Sequence, residues 1–286
     1  AQSKFLNNLS DYYMNVDTKK ALYLLEESKQ IKLDLEEYVS MHIVYAQMSK
    51  AWSILMNYSK AIENEEKSLQ IRINNGMPMQ VSQSYSALGV YYTEIGCFDE
   101  ATNFLNRCEQ ITKEVEVNQN RAYYYLCNGR ISANKGLVDD AFKNFNLAIE
   151  EFSLHQNRQF VMQINLEIAL LYFYSKQLDK SKIFLEKTLK LLKRLKGNKF
   201  YQFKANICLS ALSESADNEI LSNLINFSKN PKYYEHWYLA SFVDQRDSNL
   251  KKSKELLISF VNENSNKHHT DSSLNNILLH HEIINS

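Results

Sequence analysis

The stretch that decides the fold reads Tyr-Ser-Ala-Leu-Gly-Val-Tyr-Tyr at residues 85–92 and resumes as Phe-Asp-Glu-Ala at residues 98–101. The tyrosines at the two ends of the first segment and Leu88 between them are three or four residues apart, so they share one face of a helix. Gly96 breaks that helix. The acidic residues after it suit the positive end of a second helix dipole. The stretch therefore predicts two helices joined by a short turn.

The second part of this stretch recurs along the chain at a constant interval. Similar four-residue segments end at Ala21, Ala61, Ala101, Ala141 and Ser181, each 40 residues after the one before. A small residue at this place lets the two helices of a pair approach closely. A pair with one apolar stripe cannot bury that stripe alone, so we expect consecutive pairs to stack.

The repeated pair resembles the tetratricopeptide repeat (TPR), whose W-x2-L-G-x2-Y then A-x3-F pattern is matched best around Gly89 and Gly129. The resemblance covers at least residues 2–200. The period of 40 against the usual value of about 34 implies longer helices, as in the repeat regions of some bacterial peptide receptors and sensor proteins. It implies an all-α fold, a right-handed α-solenoid of stacked antiparallel helix pairs.

The chain is expected to have two regions. Residues 1–200 form five TPR-like helix pairs, and residues 201–286 form divergent pairs with a capping helix. Beyond Gly197 the repeat decays, and a looser copy ending at Ser253 falls off the spacing. The expected elements there are a helix pair over 202–228, helices over 233–244 and 250–261, a polar loop over 262–267 and a last helix over 274–284.

Composition excludes several classes of protein. The 6 glycines and 2 prolines leave little room for hairpin-rich β structure or a glycine-rich phosphate loop. With 33 Lys+Arg against 33 Asp+Glu, the chain lacks the basic excess of a general nucleic-acid binder. The sequence also lacks an apolar run long enough to span a membrane. The start Ala1-Gln2-Ser3 is compatible with signal-peptide removal, which leaves cytoplasm and periplasm both open.

The four cysteines are expected to be small buried hydrophobic residues rather than a disulfide framework. Cys97 and Cys108 bracket a predicted helix, and eleven residues at 1.5 Å each separate them by roughly 16 Å. A disulfide needs Cα atoms within about 7 Å, so this pair cannot form one. Cys127 and Cys208 complete the set.

The titratable clusters favour structural roles over chemistry. The histidines at 268–269 and 280–281 are interpreted as polar surface residues, since neighbours on a helix point about 100° apart and cannot easily bind one ion. The acidic pairs 65–66 and 139–140 are interpreted as helix-dipole partners or solvated faces. The basic stretch 187–199 reads as a solvated outer face, with a phosphate- or acid-binding patch as the alternative. The sequence carries no recognisable enzyme motif, and we expect no cofactor and no metal.

The TPR resemblance implies that the first helix of each pair lines a concave groove. In that family the groove-facing places fall two, five, nine and twelve residues into the first helix, with a contribution from the sixth and thirteenth. Within residues 123–125, Tyr123 is thus expected to face the groove and Tyr125 the core. The groove-facing set, counted from residues 42, 82, 122, 162 and 202, is Gln47, Lys50, Gln83, Ser86, Thr93, Tyr123, Arg130, Asn134, Gln163, Glu167, Tyr174 and Asn206.

This set is rich in amides and mixed in charge, which suits the N–H and C=O groups of an extended peptide better than a polyanion. The leading hypothesis is a non-catalytic module that binds a protein or peptide partner and serves as a sensory or regulatory domain of a bacterial signalling protein. The alternative is a structural scaffold that self-associates as a homodimer through residues 201–286. Neither a nucleic acid nor a membrane is expected as a partner.

Overall fold

The computed structural model describes residues 2–14, 16–114, 120–195, 199–212, 222, 224, 231–244, 247–264 and 269–286. Over these residues the chain is helical, with turns between helices and no strand. The helices are α1 (Gln2–Tyr13), α2 (Thr18–Asp34), α3 (Met41–Ile54), α4 (Tyr58–Asn74), α5 (Pro78–Glu94), α6 (Phe98–Glu114), α7 (Arg121–Asn134), α8 (Val138–Leu154), α9 (Arg158–Tyr174), α10 (Leu178–Leu192), α11 (Lys199–Leu212), a 3-10 helix (Pro231–Tyr233), α12 (Tyr234–Asp244), α13 (Asp247–Asn264), α14 (Thr270–Asn276) and α15 (Leu278–Asn285).

The repeat read from the sequence is confirmed by where the helices begin. The second helices of the five pairs start at Thr18, Tyr58, Phe98, Val138 and Leu178, which keeps the 40-residue spacing. The predicted all-α class and the pairing of consecutive helices are therefore confirmed. None of the described helices is long and apolar enough to cross a membrane.

The chain divides into two compact units. The first comprises Ala1–Tyr124 and Glu263–Ser273, and the second comprises Tyr125–Asn262 and Leu274–Ser286. Each unit thus contains repeated helix pairs together with a part of the C-terminal region. The division expected near residue 200 concerns where the repeat pattern decays, and it stays a prediction.

Close approach of the helices explains the small residues of the repeat. Ala61, Ala101 and Ala141 are all 0% exposed. The same close approach explains Gly129 of the first helix, because a Cβ there would lie 2.6 Å from Cδ1 of Phe145 on the facing helix. A side chain larger than a methyl group at the alanine, or a methyl group at the glycine, would push the two helices apart.

The turn after the first helix has the same backbone geometry in four of the pairs. The second residue after each of four first helices has a positive φ, of 60° at Met56, 74° at Gly96, 73° at Gly136 and 60° at Lys176. The left-handed region favours glycine, because a Cβ there approaches the following carbonyl oxygen. The backbone geometry is therefore fixed by the repeat, even where the sequence does not supply glycine.

We predict opposite effects for two substitutions at turns of this kind. Gly136→Ala should lower the free energy of unfolding by about 1 kcal/mol, because alanine is strained at this positive φ. A Cβ there has no neighbour within 4 Å, so no steric clash adds to the strain. Gln156→Gly should raise it by up to about 1 kcal/mol, because this exposed residue has a φ of 54°. Urea unfolding measures both. A loss for each variant would contradict the strain argument.

The C-terminal region departs from expectation in two places. The loop expected over 262–267 is wrong in its first part, because α13 continues to Asn264. The single last helix is also wrong, because Ile277 is extended (ψ 110°) and separates α14 from α15. The second helix expected in the 202–228 pair, with Leu221 and Ile225, lies outside the described residues, although Leu224 is buried.

The cysteine interpretation is confirmed. Cys97, Cys108, Cys127 and Cys208 are all buried, and all four are free thiols. Burial raises the pKa of the Cys208 thiol to about 12, so this thiol stays protonated and packs as an apolar group.

Candidate functional site

In the second unit, the predicted groove residues of α7 and α9 meet in an ion pair. Nε of Arg130 donates to Oε2 of Glu167 at 2.9 Å, and Nη2 donates to Oε1 at 2.5 Å. This bidentate geometry is the strongest that the two side chains can form. The side chains of Arg130 and Glu167 keep 21% and 26% of their surface exposed, so the pair lies at the edge of solvent.

The same face continues onto the neighbouring helix. Nε2 of Gln163 on α9 donates to the hydroxyl of Tyr201 on α11 at 2.9 Å. Nδ2 of Asn134 donates to the carbonyl of Arg130 at 2.9 Å, one turn back in its own helix. Polar side-chain contacts therefore link the first helices of three consecutive pairs, from α7 to α9 and from α9 to α11. We call Arg130, Asn134, Gln163 and Glu167 the polar wall. Asn206 on α11 is half-buried.

Tyr174, predicted to face the groove, is half-buried in the second unit. Its hydroxyl is buried and has no hydrogen-bond partner among the described residues, and burial raises its pKa well above the usual value. Its ring lies 6.2 Å from that of Tyr238 and packs against the cluster that contains Ile283 of α15. The repeat alone gives no signal for this, because α15 belongs to the divergent C-terminal region.

The predicted groove residues of the first unit differ widely in exposure. Lys50 and Gln83 are exposed, whereas Gln47 is half-buried and its Oε1 has no hydrogen-bond partner within the described part of the chain. Ser86 is buried, and the buried hydroxyl of Thr93 donates to the carbonyl of Gly89 at 2.7 Å. Tyr123 and Tyr125 are both half-buried, Tyr125 in the second unit, so neither the groove nor the core position is decided by burial.

The first unit also encloses a polar network that the sequence interpretation missed. Glu65 of α4 is 3% exposed and Arg72 is 6% exposed. The hydroxyl of Ser84 donates to Oε1 of Glu65 at 2.8 Å, and Nη1 of Arg72 lies 3.4 Å from the same oxygen. Burial raises the pKa of Glu65, although the Ser84 hydrogen bond and the Arg72 charge oppose that shift. Burial raises the pKa of the nearby Tyr91 to about 12, and the charge of Glu65 adds to the rise.

The interpretation of residues 65–66 as a solvated or dipole-facing pair is wrong for Glu65. Ala61, Glu65, Ser68 and Arg72 are spaced by four, three and four residues, which is the inward stripe of the second helix. The same places in α6 hold alanine, leucine, cysteine and threonine. The signal was thus present in the repeat. Glu66 does reach solvent, and it accepts a hydrogen bond from Tyr92 at 3.4 Å.

We predict that Glu65→Ala costs about 3–5 kcal/mol of unfolding free energy, because it leaves the guanidinium of Arg72 buried without its partner. The double variant Glu65→Leu with Arg72→Met should recover most of this loss. Urea unfolding measures both. Glu63→Ala on the exposed face of α4 removes a surface pair with Lys67 and is the control, with an expected cost under about 1 kcal/mol. Equal costs for the two alanine variants would contradict the buried-pair argument.

Two of the four C-terminal histidines that were expected on the surface are buried. His280 is 3% exposed in the second unit, and its Nε2 lies 2.9 Å from the hydroxyl of Tyr234. His269 is buried in the first unit, edge-on to the ring of Tyr92. The surface interpretation is therefore wrong for these two, because α14 and α15 fold back onto their units. His268 lies outside the described residues. Over the described ranges, no group of three His, Cys, Asp or Glu is placed to hold a metal.

The remaining charged runs face solvent, as expected. Asp139 and Asp140 are exposed in the first turn of α8, next to the positive end of its dipole. Lys187 and Lys190 are exposed on α10. Lys196, near the end of the basic stretch, lies outside the described residues.

The pKa of His236 in the second unit is strongly lowered. It is 0% exposed, and its ring centroid lies 4.7 Å from that of Phe200 and 4.8 Å from that of Tyr233. Burial, helped by the charge of Lys204, lowers its pKa to about 3. The imidazole is therefore neutral in the folded chain at any pH near 7, and it is a packed aromatic group rather than a proton carrier.

This shift predicts a specific pH dependence. The pKa of His236 is lower in the folded chain than in the unfolded chain, so its contribution to stability is complete above pH 6.5 and is lost as pH falls toward 3. The slope due to this group is about 1.4 kcal/mol per pH unit in that window. His236→Gln should flatten the acid limb by that amount in urea unfolding at several pH values. His155→Gln, at an exposed residue, is the control. An unchanged acid limb in His236→Gln would contradict the argument.

Comparison with known proteins identifies the fold and not a sequence family. No family model matches the chain, and no curated protein matches it. Among solved structures, the chain is similar to aspartyl phosphate phosphatase F from Bacillus subtilis, with 12% identity and a TM-score of 0.67 over 94% of this chain and 71% of that one. It is similar to a Rap protein complexed with competence and sporulation factor, with 13% identity and a TM-score of 0.69 over 99% of this chain and 75% of that one.

A third solved structure is the Rap conjugation gene regulator of the plasmid pLS20 in complex with the Phr* peptide. It has 16% identity and a TM-score of 0.53 over 95% of this chain and 82% of that one. The fold is of the TPR type. These likenesses cover 94–99% of this chain.

Proposed function

We propose that this TPR-type chain is a non-catalytic module that binds a peptide or an extended protein segment, and that it is a sensory or regulatory domain of a bacterial signalling protein. The observation that carries the proposal is the polar wall of the second unit. The TPR resemblance assigns its residues to one face. Arg130 of α7 contacts Glu167 of α9, and Gln163 of α9 contacts Tyr201 of α11.

The chemistry of the polar wall suits a peptide backbone. An extended peptide offers alternating N–H donors and C=O acceptors, and its partner must supply both kinds of group. The amides of Asn134 and Gln163 contain a donor and an acceptor each, and Glu167 adds carboxylate oxygens. The Arg130–Glu167 pair holds both side chains in place, so binding costs less side-chain entropy than it would for free rotamers.

The solved structures support the same class of ligand. One Rap protein of this fold is complexed with competence and sporulation factor, and another is in complex with the Phr* peptide. At 12–16% identity these proteins share the fold with this chain. The shared fold supports peptide binding, and we assign the bound peptide to the polar wall.

The non-catalytic part of the proposal rests on the sequence. One neighbour is called a phosphatase, whereas this sequence has no glycine-rich phosphate loop and no recognisable nucleophile motif. The predictions that no nucleic acid is bound, that no cofactor is needed and that a homodimer forms through residues 201–286 stay predictions, as does the choice between cytoplasm and periplasm.

We predict that Arg130→Ala and Asn134→Ala each weaken peptide binding by about tenfold or more, because each removes a fixed polar group of the wall. Peptides selected from a random displayed library on the wild-type chain are the probe, and fluorescence anisotropy measures their affinity. Lys143→Ala, at an exposed residue of α8, is the control and should leave affinity unchanged.

The double variant Arg130→Ala with Glu167→Ala separates binding from folding, because it removes both members of the ion pair and leaves no unpaired charge. It should retain the helical circular dichroism and thermal midpoint of the wild type while losing affinity. Selected peptides that bind all three wall variants as tightly as the wild type would show that the polar wall is not the binding surface.

A further inference from the structure

The outward faces of two second helices carry opposite charge at matching places of the repeat. On α2 the outward stripe is Tyr23, Glu27, Gln30 and Asp34, all exposed. We call it the acidic stripe. On α10 and the turn after it the stripe is Ile183, Lys187, Lys190 and Arg194, also exposed. We call it the basic stripe. Each residue of one lies 160 residues, four periods, from its counterpart in the other.

The cations of the basic stripe differ from those of other second helices in their contacts with the described part of the chain. Within the described residues, Lys187, Lys190 and Arg194 have no carboxylate at ion-pair distance, although Nζ of Lys187 lies 4.3 Å from the ring centroid of Phe184. The second helices α4 and α6 differ, because there Glu63 pairs with Lys67 at 2.6 Å and Glu109 pairs with Lys113 at 3.0 Å. A helix whose cations lack partners favours an anionic surface from outside.

Each stripe also carries one large apolar side chain at the same place. Tyr23 is 70% exposed and Ile183 is 52% exposed. A nucleic-acid backbone offers neither of them an apolar partner. An apolar anchor beside a row of charges is instead the composition of a protein contact.

We propose that the acidic stripe of one copy of this chain docks on the basic stripe of a second copy. The spacing of four, three and four residues is that of a coiled-coil seam, so two such helices can pack in parallel and in register. Tyr23 then packs on Ile183 of the second copy. Glu27 lies opposite Lys187 of the second copy, and Asp34 lies opposite Arg194 of the second copy.

One pair of residues beside the two stripes fits the same register, whereas Lys20 and Lys180, both exposed at matching places, have the same charge. Lys19, exposed in the first turn of α2, lies opposite Asp179, exposed in the first turn of α10 of the second copy. In this pair α2 contributes the cation and α10 contributes the anion, so the two charges still attract each other. Glu26 and Glu186 have the same charge at matching places, and Glu26 already has Lys29 as its partner in α2.

This association is weak and sensitive to salt, because exposed ion pairs contribute little and are screened. We expect sedimentation velocity at about 50 mM salt to show a rising weight-average sedimentation coefficient as protein concentration increases, and a monomer at about 500 mM. A reciprocal dimer and a head-to-tail chain of copies both satisfy the proposal. A monomer at every concentration in low salt would overturn it.

Charge reversal tests which faces are used. The triple variant Lys187→Glu, Lys190→Glu, Arg194→Glu should weaken self-association at least tenfold, and so should Glu27→Lys with Asp34→Lys. When these two variants are mixed they should associate with each other, because the mixture restores opposite charges at both contacts. Lys67→Glu, Lys113→Glu, Lys143→Glu changes net charge by the same amount as the first variant at other exposed residues, and it should leave association intact.

Two further outcomes would overturn the proposal. One is a pair of reversed variants that stay monomeric when mixed, although both retain the circular dichroism and thermal midpoint of the wild type. The other is a wild-type chain that binds a duplex DNA of about 20 base pairs through the basic stripe at low salt while it does not self-associate, which would assign this face to a nucleic acid.

Discussion

Burial of one stripe per helix is the constraint on which the rest of this structure depends. Each second helix has an inward stripe that begins with Ala21, Ala61, Ala101, Ala141 or Ser181. A helix of this length with one apolar face gains stability only when another element covers that face. The small residue sets the distance between the two helices of a pair. Because every pair packs in the same way and has helices of similar length, the pairs repeat every 40 residues.

The inward stripe tolerates different chemistry as long as its volume is filled. Phe145 fills the place that Glu65 occupies two pairs earlier in the first unit, and Glu65 is stable there because Ser84 and Arg72 both contact its Oε1. Turn geometry shows the same dominance of the repeat over local preference. Met56 and Lys176 adopt the left-handed backbone that Gly96 and Gly136 adopt without strain.

Surface chemistry varies more freely because packing does not decide it. The first helices present a polar wall in the second unit, where neighbouring helices meet through a bidentate ion pair and an amide–hydroxyl hydrogen bond. The second helices present charged stripes that differ in sign between α2 and α10. A repeat architecture therefore allows one surface to hold a peptide while another contacts a further chain, since neither role disturbs the inward stripe.

The sequence by itself determined the helix class, the pairing, the 40-residue spacing and which residue of each pair is small, because these follow from periodicity along one chain. It also held the signal for the burial of Glu65 and Arg72, through the inward spacing of four, three and four residues. Only the tertiary structure decided the contacts that Tyr174, His269 and His280 make. Tyr174 packs against a cluster that contains the C-terminal residue Ile283. His269 and His280 lie in the divergent C-terminal region itself and contact Tyr92 and Tyr234. No local pattern encodes contacts between segments so distant in the chain.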